Sequence, residues 1–555
     1  MKHYRYLFLC CLFALAAQAQ FNQKEAIDSL FMEWDNTDTP GAALGIFKDG
    51  ETLYAKGYGM ANMEYDIPNT AQSVFRIAST SKQFTAACIV LLAEEGKLSL
   101  DDSLRSIFPD FPAYAEQITV RHLLNHTSGI RDYLSVAYLK GLSGDDFYTD
   151  SDIMAWLVRQ TDLNFNPGDE FLYSNSGYWL LGQIVNIKSG MNMADYAQEK
   201  LFAPLDMDHT HFHNDHNRIV RNRATGYTPT EDGGYEISRT TLDMIGDGGI
   251  FTSIADIKKW DDAYYDRKVL SDAFWAEMTQ QGVLNDGETI DYASGLFVET
   301  YKGLKTINHG GAFVGFRAEL MRFPEERLTI ALFANRADAN PSRKAELVAD
   351  ILLKDQLQLD DTQEVSLAPQ TLPLPEVIFD LEQIIGTYEI EVGVTVDLSV
   401  ANDTLQVIQN WNKATYPLLR TQGNSFQIPG RDTMSFTFSA LEDGQTQTLT
   451  VDQEGRQTMA NRKAALDLSG VDVNDFVGSY YSPELDATYS FTLENGLLQA
   501  RIGGMGTPSE CTPNAIDQYT FRYGLLRFQR KDGQISGFEL DSGRVKNLKF
   551  NKQGS

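Results

Sequence analysis

Three short clusters of residues in this chain have the types and spacing to break an acyl bond. Ser79 and Lys82 form a Ser-x-x-Lys pair. A serine hydroxyl is a weak nucleophile, and a lysine one helical turn ahead can exchange a proton with it if burial and neighbouring charge lower the amine's pKa. Tyr173-Ser174-Asn175 supplies a phenol able to relay protons, and a carboxamide able to donate to a substrate carbonyl while accepting from the lysine. His309-Gly310-Gly311-Ala312 joins an imidazole to paired glycines, whose bare backbone a substrate can approach closely. With an ordinary pKa near ~6.5, His309 is the group here expected to change charge around neutrality. Singly, each cluster is a weak signal. Ser-x-x-Lys recurs by chance once or twice in about 500 residues of average composition, and a histidine before Gly-Gly is an ordinary strand-end turn.

The surrounding elements have to bring these three distant segments together. An extended run, Val74-Phe75-Arg76-Ile77, gives way to a pattern in which Phe84, Cys88, Leu91 and Leu92 fall near helical spacing up to Gly96. Ser79 is thereby expected at a helix N-terminus, where free N–H groups and the helix dipole stabilise a developing oxyanion. Upstream, residues 23–34 carry Ile27, Leu30, Phe31 and Trp34 on one side of an amphipathic helix, and Asp49-Gly50 between Ala42–Lys48 and Glu51–Tyr58 predicts a hairpin. From residue 82 to about 290 helices and loops dominate, with helix starts at Ser103 and Ser253 and a turn at Asn166-Pro167-Gly168-Asp169. Strands return at Lys305–Asn308, Gly315–Phe323 and Leu328–Asn335, and a helix from about Ser342 to Leu357 follows. Strands at both ends with helices between predict one sheet built from the two termini around a helical insert.

The three clusters in this order, in the contexts VFRIASTSKQFTA (74–86), LLNHTSGI (123–130), FNPGDEFLYSNSGYWLLG (165–182) and GDGGIFTSIADIKKW (246–260), resemble the serine β-lactamase and penicillin-recognising enzyme family. The nearer resemblance is to its branch of class C β-lactamases, D-aminopeptidases, D-Ala-D-Ala carboxypeptidases and family VIII esterases, and it covers about residues 24–357. It implies an α/β fold: a β-lactamase-like sandwich, an antiparallel sheet flanked by helices with a helical insert. It also implies roles. Ser79 would be the acylated nucleophile, Lys82 and Tyr173 would share the general base and acid work, and Asn175 would hold the substrate amide. The N–H groups of Ser79 and Ala312 would form the oxyanion hole, with His309 and Gly311 also lining the substrate. His309 stands where β-lactamases of this type carry a lysine, which turns the expectation from β-lactams toward D-aminopeptidase, carboxypeptidase or esterase chemistry. No metal or organic cofactor is implied.

Beyond Pro369, Pro373 and Pro375, a semi-rigid linker, the texture becomes short alternating strands. FDLEQIIGTY (379–388) matches VDVNDFVGSY (471–480) in character, a period of about 90 residues that fits two similar small antiparallel β-barrel, lipocalin-like modules. The expected divisions are a signal peptide at 1–19, the hydrolase domain at 20–365, and modules at 377–465 and 470–555. D-aminopeptidases of the family carry two such barrels, with a loop of the last one reaching the active site; Gly503–Pro508 is the candidate here.

Lys2 and Arg5, the apolar run Tyr6–Ala16 and Ala17-Gln18-Ala19 read as a secretory signal, so the expected location is periplasmic or secreted, with no membrane-spanning segment after its removal. Cys88 and Cys511, the cysteines left after removal, are not expected to pair. A net charge of −29 with dispersed acidic residues makes nucleic acid and anionic membrane surfaces poor partners, and no nucleic acid is expected. His209, His211, His213 and His216 lie close together, but their segment PLDMDHTHFH resembles a structural stretch of the same family, so no metal is expected; His122 and His126 likewise read as structural. The expected partner is a small-molecule or peptide substrate, with peptidoglycan fragments included. The function expected is an exported serine hydrolase working through an acyl-enzyme on amides or esters, D-amino-acid peptides or amides first. An esterase or weak β-lactamase is one alternative, and a slowly deacylating penicillin- or muropeptide-binding sensor is another.

Overall fold

The computed structural model describes residues 23–358 and 380–554, apart from short stretches at 144–145, 392, 402, 411–412, 431–433, 443, 454–455, 465, 467 and 504–506. The expected signal segment, the linker and the tip of the Gly503–Pro508 loop lie outside the described residues. The chain divides into two units, Met1–Leu134 with Ser143–Glu364, and Ser135–Leu142 with Val365–Ser555.

The elements of the first unit that matter for the site are, in chain order, β1 (Ala42–Lys48), β2 (Glu51–Tyr58), β3 (Phe75–Arg76), α1 (Lys82–Glu94), α2 (Asn175–Ser189), β4 (His211–Phe212), β5 (Ile250–Thr252), α3 (Ile254–Asp266), β6 (Phe297–Tyr301), β7 (Leu304–Phe313), β8 (Phe316–Phe323), β9 (Leu328–Ala334) and α4 (Pro341–Leu352). Six of them make one antiparallel sheet in the order β6-β7-β8-β9-β1-β2. The hairpin turns on Asp49 and Gly50, both at positive φ (53° and 82°), the backbone that a two-residue hairpin loop requires. β1 is the strand that joins the ends of the domain: it pairs with β2 on one side and, from Ala42↔Ala334 to Lys48↔Leu328, with β9 on the other. Both are apolar and buried nearly throughout, because helices cover both faces of the sheet. One face packs Ile27, Phe31 and Trp34 with Val348 and Ala349 of α4 against Leu44, Ile46, Ile330 and Leu332. On the other face α3 comes so near that a Cβ on Gly45 would sit 2.4 Å from Ile254. A buried ion pair, Arg322 to Asp261 at 2.9 Å, ties α3 to β8, and Thr329 donates to the same carboxylate at 2.7 Å. The N-terminal helix is shorter than its apolar pattern predicts, 23–29, and continues to Trp34 as turns.

In the second unit, eight strands between Gly386 and Arg462 close into a barrel. Nine more, between Gly478 and Lys552, form an antiparallel sheet whose two edge strands, Ser509–Glu510 and Thr512–Ala515, are consecutive in the chain. Only Cys511 separates those edges, so this sheet also curls almost to closure. The repeat is conformational as well as compositional. Gly386 and Gly478 have φ of 145° and 144°, and the tyrosine two residues after each donates its hydroxyl four residues back, Tyr388 to Ile384 O at 2.8 Å and Tyr480 to Phe476 O at 2.9 Å. Cys88 and Cys511 are buried free thiols. No helix among the described residues is long and apolar enough to cross a membrane.

Candidate active site

Ser79 does not open α1 directly. Between β3 and α1 the chain makes a 3-10 turn, Ala78–Ser81, and Lys82 is the first residue of the α-helix. Ala78 enters this turn with φ +47°, a left-handed backbone that costs a non-glycine residue roughly 1–2 kcal/mol. The kink turns the Ser79 hydroxyl toward the surface while Lys82, 0% exposed, is carried inward. The Lys82 ammonium lies 3.2 Å from Ser79 Oγ, 2.8 Å from Asn175 Oδ1 and 2.6 Å from the Asp247 carbonyl oxygen. Two of its protons are thus directed to the asparagine and the carbonyl, and its third tetrahedral position faces the serine. A protonated amine donates there, and a free amine presents its lone pair to the Ser79 proton.

Asn175 is the first residue of α2, and its own N–H donates to Asp132 Oδ2 at 2.7 Å, which fixes the start of that helix beside α1. With Oδ1 turned to the lysine, the amide Nδ2 remains to donate to a substrate carbonyl. Asp247 brings its carbonyl to Lys82, and its carboxylate accepts from Tyr133 Oη at 2.9 Å; burial raises this carboxyl above the usual range. The Lys82 ammonium also sits 4.8 Å from the centre of the Tyr173 ring, so the phenol and the amine share one small volume. The Tyr173 ring in turn lies against His126, centroids 4.1 Å apart, and His126 Nδ1 accepts the N–H of Ser174 at 3.1 Å. His126, with φ +59°, is therefore the residue that shapes the Tyr173 loop.

The third cluster departs most from its sequence reading. His309, Gly310, Gly311 and Ala312 stand inside β7, which runs on to Phe313, not in a turn after it. β8 pairs with this whole stretch, while β6 ends opposite Asn308. From His309 onward the free side of β7 passes the Ser79 turn. Thr80 Oγ1 donates to His309 O at 3.1 Å, and a Cβ on Gly311 would fall 2.2 Å from Ile77 O. Only glycine permits that approach.

His309 itself is 2% exposed, and its titration does not match its ordinary value. Burial, and then the charge of Lys82, pull its pKa down to about 3. The imidazole is neutral: Nδ1–H donates to Gly310 O at 2.6 Å, and Nε2 accepts from the Tyr292 hydroxyl at 3.0 Å. Tyr292, whose own pKa burial drives well up, remains the donor. Behind the strand, Glu319 of β8 faces Gly310 across the ladder; Ser342 Oγ donates to its Oε2, and its Oε1 has no hydrogen-bond partner.

Ser79 in the 3-10 turn, Lys82 at the start of α1, Tyr173 in the loop before α2, Asn175 at the start of α2, and His309, Gly311 and Ala312 in β7 therefore come to one place. Sequence reasoning missed Asp132, Asp247 and Tyr292; His126, read as structural, is the residue that orders the Tyr173 loop. LLNHTSGI and GDGGIFTSIADIKKW held two of these residues in view, but nothing in them says that a carbonyl or a ring face is the working part. The histidines at 122, 211, 213 and 216 lie elsewhere. His122 closes a capping box with Thr119, His216 pairs with Asp243 at 2.9 Å, and His211 and His213 pack on Phe251. Among the described residues no three His, Cys, Asp or Glu side chains converge as a metal site.

A family model described as Beta-lactamase matches residues 26–353. The chain is 23% identical to a D-aminopeptidase of Gluconobacter oxydans over 530 residues, 92% of this chain and 96% of that protein. It is 30% identical to penicillin-binding protein 4* of Bacillus subtilis over 351 residues, 59% of this chain and 75% of that one. Among solved structures, the octameric penicillin-binding protein homologue from Pyrococcus abyssi superposes with a TM-score of 0.57 at 24% identity, covering 79% of this chain and 99% of its own.

Proposed function

Because this chain belongs to the Beta-lactamase family, a family of serine hydrolases, we propose that it cleaves amides of D-amino acids, small D-peptides included, through an acyl-enzyme on Ser79. The observation that carries the reading is the triple engagement of a fully buried Lys82 by Ser79, Asn175 and the Asp247 carbonyl. Held by the asparagine and the carbonyl, the amine also faces the serine. Ser79 Oγ attacks the substrate carbonyl as its proton passes into the Lys82–Tyr173 pair. The oxyanion forms against the N–H groups of Ser79 and Ala312, and the same pair returns the proton to the leaving amine. Water then repeats the sequence in reverse roles to release the acid. Asn175 Nδ2 steadies the substrate amide. His309 is a positioning residue: with both ring nitrogens engaged and no charge, it seats β7 against Tyr292.

The D-amino-acid preference is supported by the alignment to a D-aminopeptidase, which runs through the second unit as well as the first. A neutral histidine supports it too, since a site without a cation at that position suits a substrate bearing a free ammonium group. Lys2 and Arg5 followed by the apolar run Tyr6–Ala16 and Ala17-Gln18-Ala19 support export to the periplasm or medium. A fluorescent phosphonate should label the protein stoichiometrically, and Ser79→Ala should abolish labelling with the fold intact. Turnover is then compared on D-alanine amide, N-blocked D-alanine amide and a p-nitrophenyl ester. Preference for the free amide supports the reading. Preference for the ester makes the protein an esterase, and a labelled-penicillin adduct that persists on chase makes it a sensor.

A further inference from the structure

A second cluster of unspent charge flanks the site. β3, β5 and β4 form a small sheet in which Arg76, Phe251 and His211 are direct cross-strand neighbours, so their side chains share one face. The Arg76 guanidinium lies 5.8 Å from the centre of the Phe251 ring and 5.0 Å from that of Phe313; the Arg223 guanidinium is 4.9 Å from Phe251, and the His213 ring lies tilted against the same ring at 4.6 Å. Aromatic faces offset part of this charge. They do not supply its hydrogen bonds. Arg76 is 6% exposed and its Nε has no partner, and His213 is 2% exposed with Nε2 in the same condition. Among the described residues no carboxylate stands within ion-pair distance of Arg76 or Arg223, and the nearby acids are engaged: Asp243 with His216 at 2.9 Å, Asp247 with Tyr133 at 2.9 Å. Asp247 and Asp243 offset part of the field on Arg76 from a distance, and neither is paired with it. Burial, then Arg223, brings Arg76 down to about 10, and burial followed by the neighbouring arginines holds His211 and His213 at about 4.

A buried guanidinium without a counter-charge is expensive, and its planar fork matches the two oxygens of a carboxylate or sulfate. The location is also specific, since Arg76 is three residues before Ser79 and Phe313 directly follows Ala312. We propose that this face of the small sheet is a binding site for a small oxyanion, a carboxylate or an inorganic oxyanion of like size, held by Arg76 and Arg223 at the oxyanion end of the catalytic turn.

The test reads the thermal unfolding midpoint of the full chain as sulfate replaces chloride at constant ionic strength. At a tenfold excess over its dissociation constant, sulfate should raise the wild-type midpoint by roughly 2–3 °C beyond its general salting effect. Arg223→Gln, at a half-buried position, and Arg76→Gln should keep only the general effect. If Arg76→Gln does not fold, Arg223→Gln decides. An equal rise in wild type and variants overturns the proposal. A kinetic arm, which rests on the hydrolase reading as the sulfate arm does not, separates the two sources. Sulfate competitive against D-alanyl-D-alanine but without effect on D-alanine amide identifies the ligand as the substrate's carboxylate. Sulfate acting on both alike identifies a free oxyanion.

Discussion

Glu319 should be a neutral acid at the back of the site, and replacing it with glutamine should show that in stability. Its carboxyl is buried, and burial, with Glu299 and Glu346 nearby, raises its pKa from 4.5 to about 7. For a carboxyl raised on folding, the native state binds the proton more tightly than the unfolded one. Its contribution is therefore fully present below the unfolded value and is lost as pH rises through the folded value. A difference of this size at ~1.36 kcal/mol per unit puts about 3 kcal/mol against the ionised wild type above pH 7. Glu319→Gln keeps the shape and removes the ionisation. It should match wild type near pH 4.5 and exceed it by about 3 kcal/mol at pH 8.5, roughly 4–6 °C in midpoint for a domain of this size. Tryptophan fluorescence suits the measurement, because of the six tryptophans only Trp411 lies outside the first unit. Stability curves for the two proteins that run parallel from pH 4.5 to 8.5 would show that Glu319 does not change charge on this scale, and the account of a protonated acid under Gly310 would fall.

Asn175→Ala removes one of the two anchors on Lys82 and should lower kcat by on the order of 10²-fold with little change in KM, because the misdirected amine matters most in the transition state; a pure KM effect would count against it. His309 should contribute no step to the pH–rate profile between pH 5 and 9, since its pKa is about 3, and its ring nitrogens should keep neutral-imidazole chemical shifts by NMR over that range. A His309 resonance titrating near 6.5 would refute the buried, neutral assignment. Asp261→Ala leaves Arg322 buried without its carboxylate and should cost about 3–5 kcal/mol in urea unfolding, against under ~1 kcal/mol for a surface pair such as Lys302–Asp350.

What could be seen in advance was local. Asp49-Gly50 places a hairpin between its flanking strands without help from the rest of the chain, and Ser79 and Lys82 lie close because one turn of helix separates them. The glycine at 386 and the tyrosine at 388, repeated at 478 and 480, likewise carry their own geometry. What could not be seen depends on distant partners. The backbone of Asp247 reaches Lys82 through a carbonyl that every residue possesses, so no side chain advertises it. His309 reads as a titrating group by type, and only the closure of β7 over Lys82 and Tyr292 makes it neutral. The glycines after it look like a turn, yet they stay in the strand because β8 pairs along their whole length and the Ser79 turn needs the space a side chain would fill.

The pairing of β1 with β9 sets an order of assembly. β1 is among the first segments to be made, and its partner on one side, Leu328–Ala334, is nearly the last of its domain. Ser79, Lys82, Tyr173, Asn175, Asp247 and His309 all lie between them in sequence. Such a contact contributes to the heart of the sheet only after a very large loop has closed, so folding of this domain waits on its end and then proceeds as one event. A chain interrupted before Leu328 keeps Ser79, Lys82 and Tyr173 and still has no β9 against which β1 can complete the sheet. The serine is thus armed late, when the whole domain has been delivered, and an unfinished hydrolase is also an inactive one.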